Sequence, residues 1–151
     1  MTLEEIATKS TLANRDGPDD WPSRVIAMAR DLDVHLSEPD GLRAVVGELV
    51  SIAKRLECDS VAGASPIGER LAGAVAASDH GLRLFARGQS ARSVLVLDGM
   101  LATGVQLTRA MHLAREGGAL HTPAATLMAD RDSLRALRAR SHEEVFALRE
   151  F

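Results

Sequence analysis

A single cysteine, Cys58, stands in the 151 residues. No disulfide can form within the chain, and the sequence fits a reducing compartment, for which the cytoplasm is the expectation. Aromatic residues are almost as scarce. Trp21, Phe85, Phe146 and Phe151 are all there are, with no tyrosine, which leaves few platforms for stacking nucleobases. Lysine is reduced to Lys9 and Lys54 against sixteen arginines. The net charge is −3, with no basic excess of the kind a nucleic-acid surface carries, so no nucleic-acid partner is expected. No apolar run of about 18 residues is present, and no basic-then-apolar leader opens the sequence, so neither membrane insertion nor export is expected.

What remains is ordinary for a globular chain: 46% hydrophobic and 26% charged residues, with enough length to bury a core. Residues 1–20 end in Asn14-Arg-Asp-Gly-Pro-Asp-Asp20 and read as a flexible leader. Residues 21–151 read as one domain. A helix is expected from Trp21 to about Asp33, with Val25, Ile26, Ala29 and Leu32 on one face. Ser37, Glu38 and Pro39 read as a second helix start, with Ser37 as the cap, and Leu42 to Leu56 repeat at helical spacing.

From Asp59 the pattern alternates. Strands are expected at Ser60–Ala64, Leu82–Ala86, Ser93–Leu97, Thr122–Ala129 and Glu144–Leu148, and helices at Pro66–Ala77, Val105–Glu116 and Ser133–Arg140. Strands alternating with helices predict an α/β fold, a mostly parallel sheet of about five strands flanked by helices, with two N-terminal helices before it.

The segment Ser93-Val-Leu-Val-Leu-Asp-Gly-Met-Leu-Ala-Thr-Gly-Val-Gln106 carries the functional signal. Val94 to Leu97 form an apolar run without a polar face, as a buried parallel strand requires. Asp98 stands where that strand is expected to end, and Thr103-Gly104 opens a helix. Ligands of open α/β sheets bind at the carboxyl ends of strands. A helix start there presents unpaired N–H groups and a positive dipole end to an anion. Asp98 is then either an acceptor for ligand hydroxyls or a metal, or simply a cap for its own turn. Ala102 to Gln106 is likewise either a phosphate loop or a plain helix start.

This segment resembles the phosphoribosyl pyrophosphate signature of type I phosphoribosyltransferases: four apolar residues, two acidic residues, then a Thr-Thr-Gly-like phosphate loop. The resemblance runs from about Ile52 to Phe151 and is nearest the orotate members. Asp59-Ser-Val-Ala-Gly-Ala64 is similar to the strand before that family's pyrophosphate loop, Ser65-Pro66-Ile67-Gly68 falls on the loop itself, and Met128-Ala-Asp-Arg-Asp132 is similar to the family's Asp-Arg pair. The resemblance implies a ligand-binding set of Asp98, Gly99, Ala102, Thr103, Gly104, Val105 and Gln106, a phosphorylated sugar or nucleotide ligand, a homodimer, and Mg²⁺ as cofactor if phosphoribosyl pyrophosphate is bound.

The chain departs from the family pattern where charge is needed. The second acidic position is Gly99, and the closing Thr or Ser of the phosphate loop is Gln106. The pyrophosphate loop holds no Lys or Arg, with Arg70 in the helix behind it. Only Arg87 to Arg92 joins the second and third strands, where the family has a mobile lysine-bearing loop; six residues reach about 20 Å at full extension. The expected function is therefore a degenerate phosphoribosyltransferase-like protein that binds a ribose-5-phosphate or phosphate-type ligand in a non-catalytic or regulatory role. One rival is an active phosphoribosyltransferase drawing positive charge from Arg70, Arg87 or a partner subunit. Another is an interaction module with a dead pocket.

Other chemistries are weaker. Gly63-Ala-Ser-Pro-Ile-Gly68 has one residue too many for a nucleophile elbow, and Pro66 would remove an oxyanion N–H. The five histidines lack ligand spacing, so no metal cluster is expected. Cys58 reads as a small buried residue, and Arg131, Arg135, Arg138 and Arg140 as a solvated helix face.

Overall fold

The computed structural model describes residues 1–12 and 21–151, with side chains placed in 1–10 and 21–151. The chain begins with helices α1 (Leu3–Leu12), α2 (Trp21–Ser37) and α3 (Pro39–Arg55). Strand β1 (Ser60–Gly63) leads to α4 (Pro66–Ser78), then to β2 (Arg83–Leu84) and β3 (Ala91–Leu101). After α5 (Val105–Glu116) come β4 (Ala119–His121), β5 (Ala124–Ala129), α6 (Arg131–Arg140) and β6 (Val145–Glu150).

Five strands lie in the order β2-β1-β3-β5-β6, every pair parallel, and β4 pairs with the start of β3. This is the expected α/β sheet with six strands instead of about five. Pro123 accounts for the extra one. Lacking an N–H, it cannot continue a ladder, so the expected Thr122–Ala129 strand begins at Ala124, and a separate β4 forms before it. The Pro123 carbonyl accepts Val96 N at 2.9 Å, which keeps the two pieces on the same neighbour.

Side chains of β3 alternate between two apolar layers. Leu95 and Leu97 join a core built by α1 to α4. Val94 and Val96 join one built by Leu107, Met111 and Ala114 of α5 and Leu134 and Leu137 of α6. Both faces of β3 are therefore covered, which is why its sequence shows no polar period.

The amino-terminal part differs from the flexible leader expected for residues 1–20. Leu3, Ile6 and Ala7 of α1 are buried in the core, Ile6 completely, and Glu4 pairs with Arg149 of β6 at 3.1 Å. Positions 13–20 lie outside the described residues. α2 runs to Ser37, whose hydroxyl donates to the Asp33 carbonyl at 2.7 Å instead of capping α3. The N-cap position of α3 is Glu38, in extended backbone before Pro39, and its side chain makes no capping hydrogen bond. The buried stripe of α2 is Met28, Leu32 and Leu36, and Ile26 is 62% exposed because it falls a quarter turn off that stripe.

Candidate functional site

α4 returns the chain to β2 on one side of β1, while α5 leads from β3 to the opposite side of the sheet. The carboxyl ends of β1 and β3 are thus the topological switch point, where open α/β sheets form a crevice. Every expected ligand-binding residue falls at this end of the molecule.

On the β3 side the chain turns through Ala102, Thr103 and Gly104 into α5. Gly104 has φ +83°, a left-handed conformation that glycine adopts without strain. No side chain caps α5; Val105 N reaches Thr103 Oγ1 only at 3.5 Å. The turn is braced from behind. The Ser133 hydroxyl of α6 donates to the Ala102 carbonyl at 2.6 Å, and Asp130 N donates to the Leu101 carbonyl at 2.8 Å. Asp98, Met100, Leu101, Ala102, Thr103, Gly104, Gln106 and Leu107 line a recess of about 250 Å³. That lies just below the span of about 300–1,000 Å³ usual for small-molecule clefts, so the recess suits a phosphate and sugar better than a whole nucleotide. Val105, at the rim of the same turn, is 68% exposed.

Asp98 is not at a strand end. β3 continues through Gly99, Met100 and Leu101, paired with β5 as far as Ala129, and Asp98 is only 5% exposed. Its Oδ1 accepts the Ser65 hydroxyl at 2.6 Å and Gly99 N at 2.8 Å. Burial pushes the Asp98 carboxyl above its ordinary range, outweighing the Ser65 hydroxyl and the N–H groups of Gly99 and Met100, which pull it down.

The stretch expected as a pyrophosphate loop is the first turn of α4. Ser65 is the cap, its Oγ accepting Gly68 N at 3.1 Å while its hydroxyl is given to Asp98. Pro66 supplies no N–H. Ala64 N is bound to the Leu97 carbonyl at 2.8 Å and Glu69 N to the Ser65 carbonyl at 2.8 Å. Ser65 thus ties β3 to α4 across the switch point.

Ile67 covers Gly99. A β-carbon at Gly99 would stand 2.8 Å from Ile67 Cγ2, so glycine in the second acidic position permits this close approach, and a side chain there would require Ile67 to shift. The two arginines named as charge donors point elsewhere. Arg70 pairs with Asp33 of α2 at 3.0 Å. Arg87 lines a separate hollow of about 300 Å³ with Ala62, Gly63, Phe85 and three residues of α5. The connection that carries it, residues 85–90, is fastened to the far end of α5, with Gly88 N on the Gly117 carbonyl at 2.9 Å and Ala91 N on Gly118 O at 3.4 Å.

The fold thus brings together Asp98, Ala102, Thr103, Gly104 and Gln106, and places Ser65, Ile67 and Gly99 beside them as a packed seal. Ser133 and the covering role of Ile67 were missed by sequence reasoning. Asp130, which caps α6 by accepting Ser133 N at 2.9 Å, was the nearest available signal for the first. Among the described residues no three His, Cys, Asp or Glu side chains converge as a metal-ligating group. A hollow of about 460 Å³ between α1 and β6 and a cleft of about 340 Å³ between α5 and α6 carry none of the expected site residues. Cys58 is buried beside the Ser93 hydroxyl, and burial pushes its thiol up, away from nucleophilic character. No described helix is long and apolar enough to cross a membrane.

No protein-family model matches the sequence, and no curated protein matches it. Solved structures do match in shape. The orotate phosphoribosyltransferase of Aeropyrum pernix superposes with a TM-score of 0.64 at 16% identity, over 76% of this chain and 74% of that one. The phosphoribosyltransferase of Corynebacterium diphtheriae gives 0.65 at 19%, over 79% and 80%. An adenine phosphoribosyltransferase of Giardia lamblia, in complex with 9-deazaadenine, gives 0.64 at 20%, over 79% and 84%. The chain therefore has a fold of the type I phosphoribosyltransferase kind.

Proposed function

We propose that this protein binds a phosphorylated ribose at the turn between β3 and α5 and does not transfer it efficiently. The observation that carries the reading is the contrast between the two halves of the crevice. The turn at Ala102 to Gln106 leads into a helix start without a side-chain cap, beside a recess of sugar-phosphate size. Across from it, among the described residues, neither of the two arginines expected to supply charge is free for the α4 turn, since Arg70 is held by Asp33 and Arg87 lines another hollow. A departing pyrophosphate would find neither charge nor a covering loop. A non-catalytic or regulatory role is part of this reading, with a homodimer in the cytoplasm as its setting.

Losing one electrostatic donor aimed at a developing charge typically costs about 10²–10³ in rate. With the charge of the pyrophosphate turn and the lysine-bearing loop both gone, transfer from phosphoribosyl pyrophosphate to any common base should be at least about a thousandfold below an ordinary enzyme. Calorimetric titration with ribose 5-phosphate, followed by a pyrophosphate-release assay, tests both halves. Binding without turnover is expected. Turnover of about 1 s⁻¹ or faster, within the ordinary enzyme range, would overturn the reading in favour of an active transferase.

A further inference from the structure

The break that Pro123 makes in the ladder leaves Thr122 between β4 and β5, where it lines the cleft between α5 and α6. Thr122 is 2% exposed, and among the described residues its hydroxyl makes no hydrogen bond. Polar groups buried this deeply are nearly always paired, because an unpaired one has given up hydration without return. The oxygen is not sealed from solvent either, so the little of Thr122 that is accessible opens on the cleft.

The walls join apolar surface to positive charge. Met111 of α5 and Leu137 of α6 supply the first. Among the charged residues lining the cleft, Glu143 is the one carboxylate, and Arg115 is paired with it. His112 pairs with Glu116 at 3.1 Å. Arg140 and His142 have no ion pair among the described residues. Arg140 Nη2 lies at the end of the cleft nearest the α5 turn, where a β-carbon on Gly104 would meet it at 3.3 Å. The permanent charge left uncompensated is thus one guanidinium, whose planar fork matches the two oxygens of a carboxylate. The cleft volume of about 340 Å³ falls at the small end of the range for small-molecule sites.

From these observations we infer that the cleft between α5 and α6 is a second binding site, for a small organic monocarboxylate with an apolar body. Its carboxylate pairs with Arg140, its body lies on Met111 and Leu137, and a further polar group takes the Thr122 hydroxyl. The cleft shares no lining residue with the recess at the α5 turn, so the inference does not depend on the ribose-phosphate reading.

The test is an amide NMR titration of the intact chain with salicylate, with its uncharged counterpart salicylamide, and with inorganic phosphate. Salicylate is expected to move the Thr108, Thr122 and Ser141 amides saturably, with a dissociation constant of about 1 mM. Salicylamide should bind at least about fivefold more weakly, and phosphate should give no saturable shift at these amides. Thr122→Val keeps the side-chain shape without the hydroxyl and should weaken salicylate about fivefold, whereas Thr122→Ser should stay within about twofold of the wild type. Arg140→Gln, on the exposed rim, should abolish saturation. Shifts that never saturate, equal binding of salicylamide or phosphate, or undiminished binding in Thr122→Val would each overturn the inference.

Discussion

Replacing Ser65 by alanine removes two bonds at one stroke, and the structure sets the scale of the loss. The hydroxyl caps α4 by accepting Gly68 N, and loss of such a cap costs about 1 kcal/mol. It also donates to Asp98, buried at 5% exposure, and a hydrogen bond to a charged group contributes about 1.5–3 kcal/mol. The two share one atom and do not simply add, so a loss of about 2–4 kcal/mol near neutral pH is expected. With a urea slope of about 2 kcal/mol per molar, the unfolding midpoint should fall by about 1–2 M. The deficit should also depend on pH. Because the folded Asp98 pKa is raised, the folded state holds a proton that the unfolded chain has released once pH exceeds the ordinary carboxylate value. Stability therefore falls as pH rises from that value to the folded one, and is level above it. Removing the Ser65 donor raises the folded pKa further and widens this window. The alanine variant should accordingly be closest to wild type at low pH, where a protonated Asp98 no longer depends on the donor, and furthest from it once pH exceeds the raised Asp98 pKa. In an Asp98→Asn background the pH dependence of the deficit should vanish. A deficit below about 0.5 kcal/mol, the scale of an ordinary surface substitution, or one that does not change with pH, would refute the strut between β3 and α4.

Gly104→Val should cost about 1–2 kcal/mol, because a β-branched residue is forced to φ +83°, and should weaken ribose 5-phosphate binding more than tenfold; calorimetry reads the second effect. Ser133→Ala leaves the Ala102 carbonyl without its brace, so a stability loss of about 1 kcal/mol is expected, with a smaller fall in affinity than Gly104→Val gives. Arg87→Ala should change ribose 5-phosphate affinity by less than about twofold, since that side chain lines the other hollow.

The architecture was legible because parallel strands buried on both faces leave apolar runs; Val94 to Leu97 is unbroken, and Ala124 to Ala129 is interrupted only by Thr126. The continuation of β3 was not. Asp98 and Gly99 are poor strand formers, and only pairing with β5 keeps them extended. The position of the turn into α5 could be read from Thr103 and Gly104. Its closed neighbour could not, because the contact between Ile67 and Gly99 depends on how near α4 approaches β3, a distance that no local pattern encodes. The direction of Arg70 was hidden for the same reason: its partner Asp33 lies 37 positions away on another helix.

The fastening of residues 85–90 to Gly117 and Gly118 has a kinetic meaning. Segments that open and close over a ligand do so in microseconds to milliseconds, and that motion often sets how long the ligand stays. Here the connection is only six residues long and is tied at Gly88 to the end of α5, which leaves little chain to act as a gate. Arrival should then be limited by diffusion and orientation, and departure by the strength of the contacts at Ala102 to Gln106 alone. Occupancy of such a site follows the free ligand concentration promptly in both directions, the behaviour of a gauge and not of a trap.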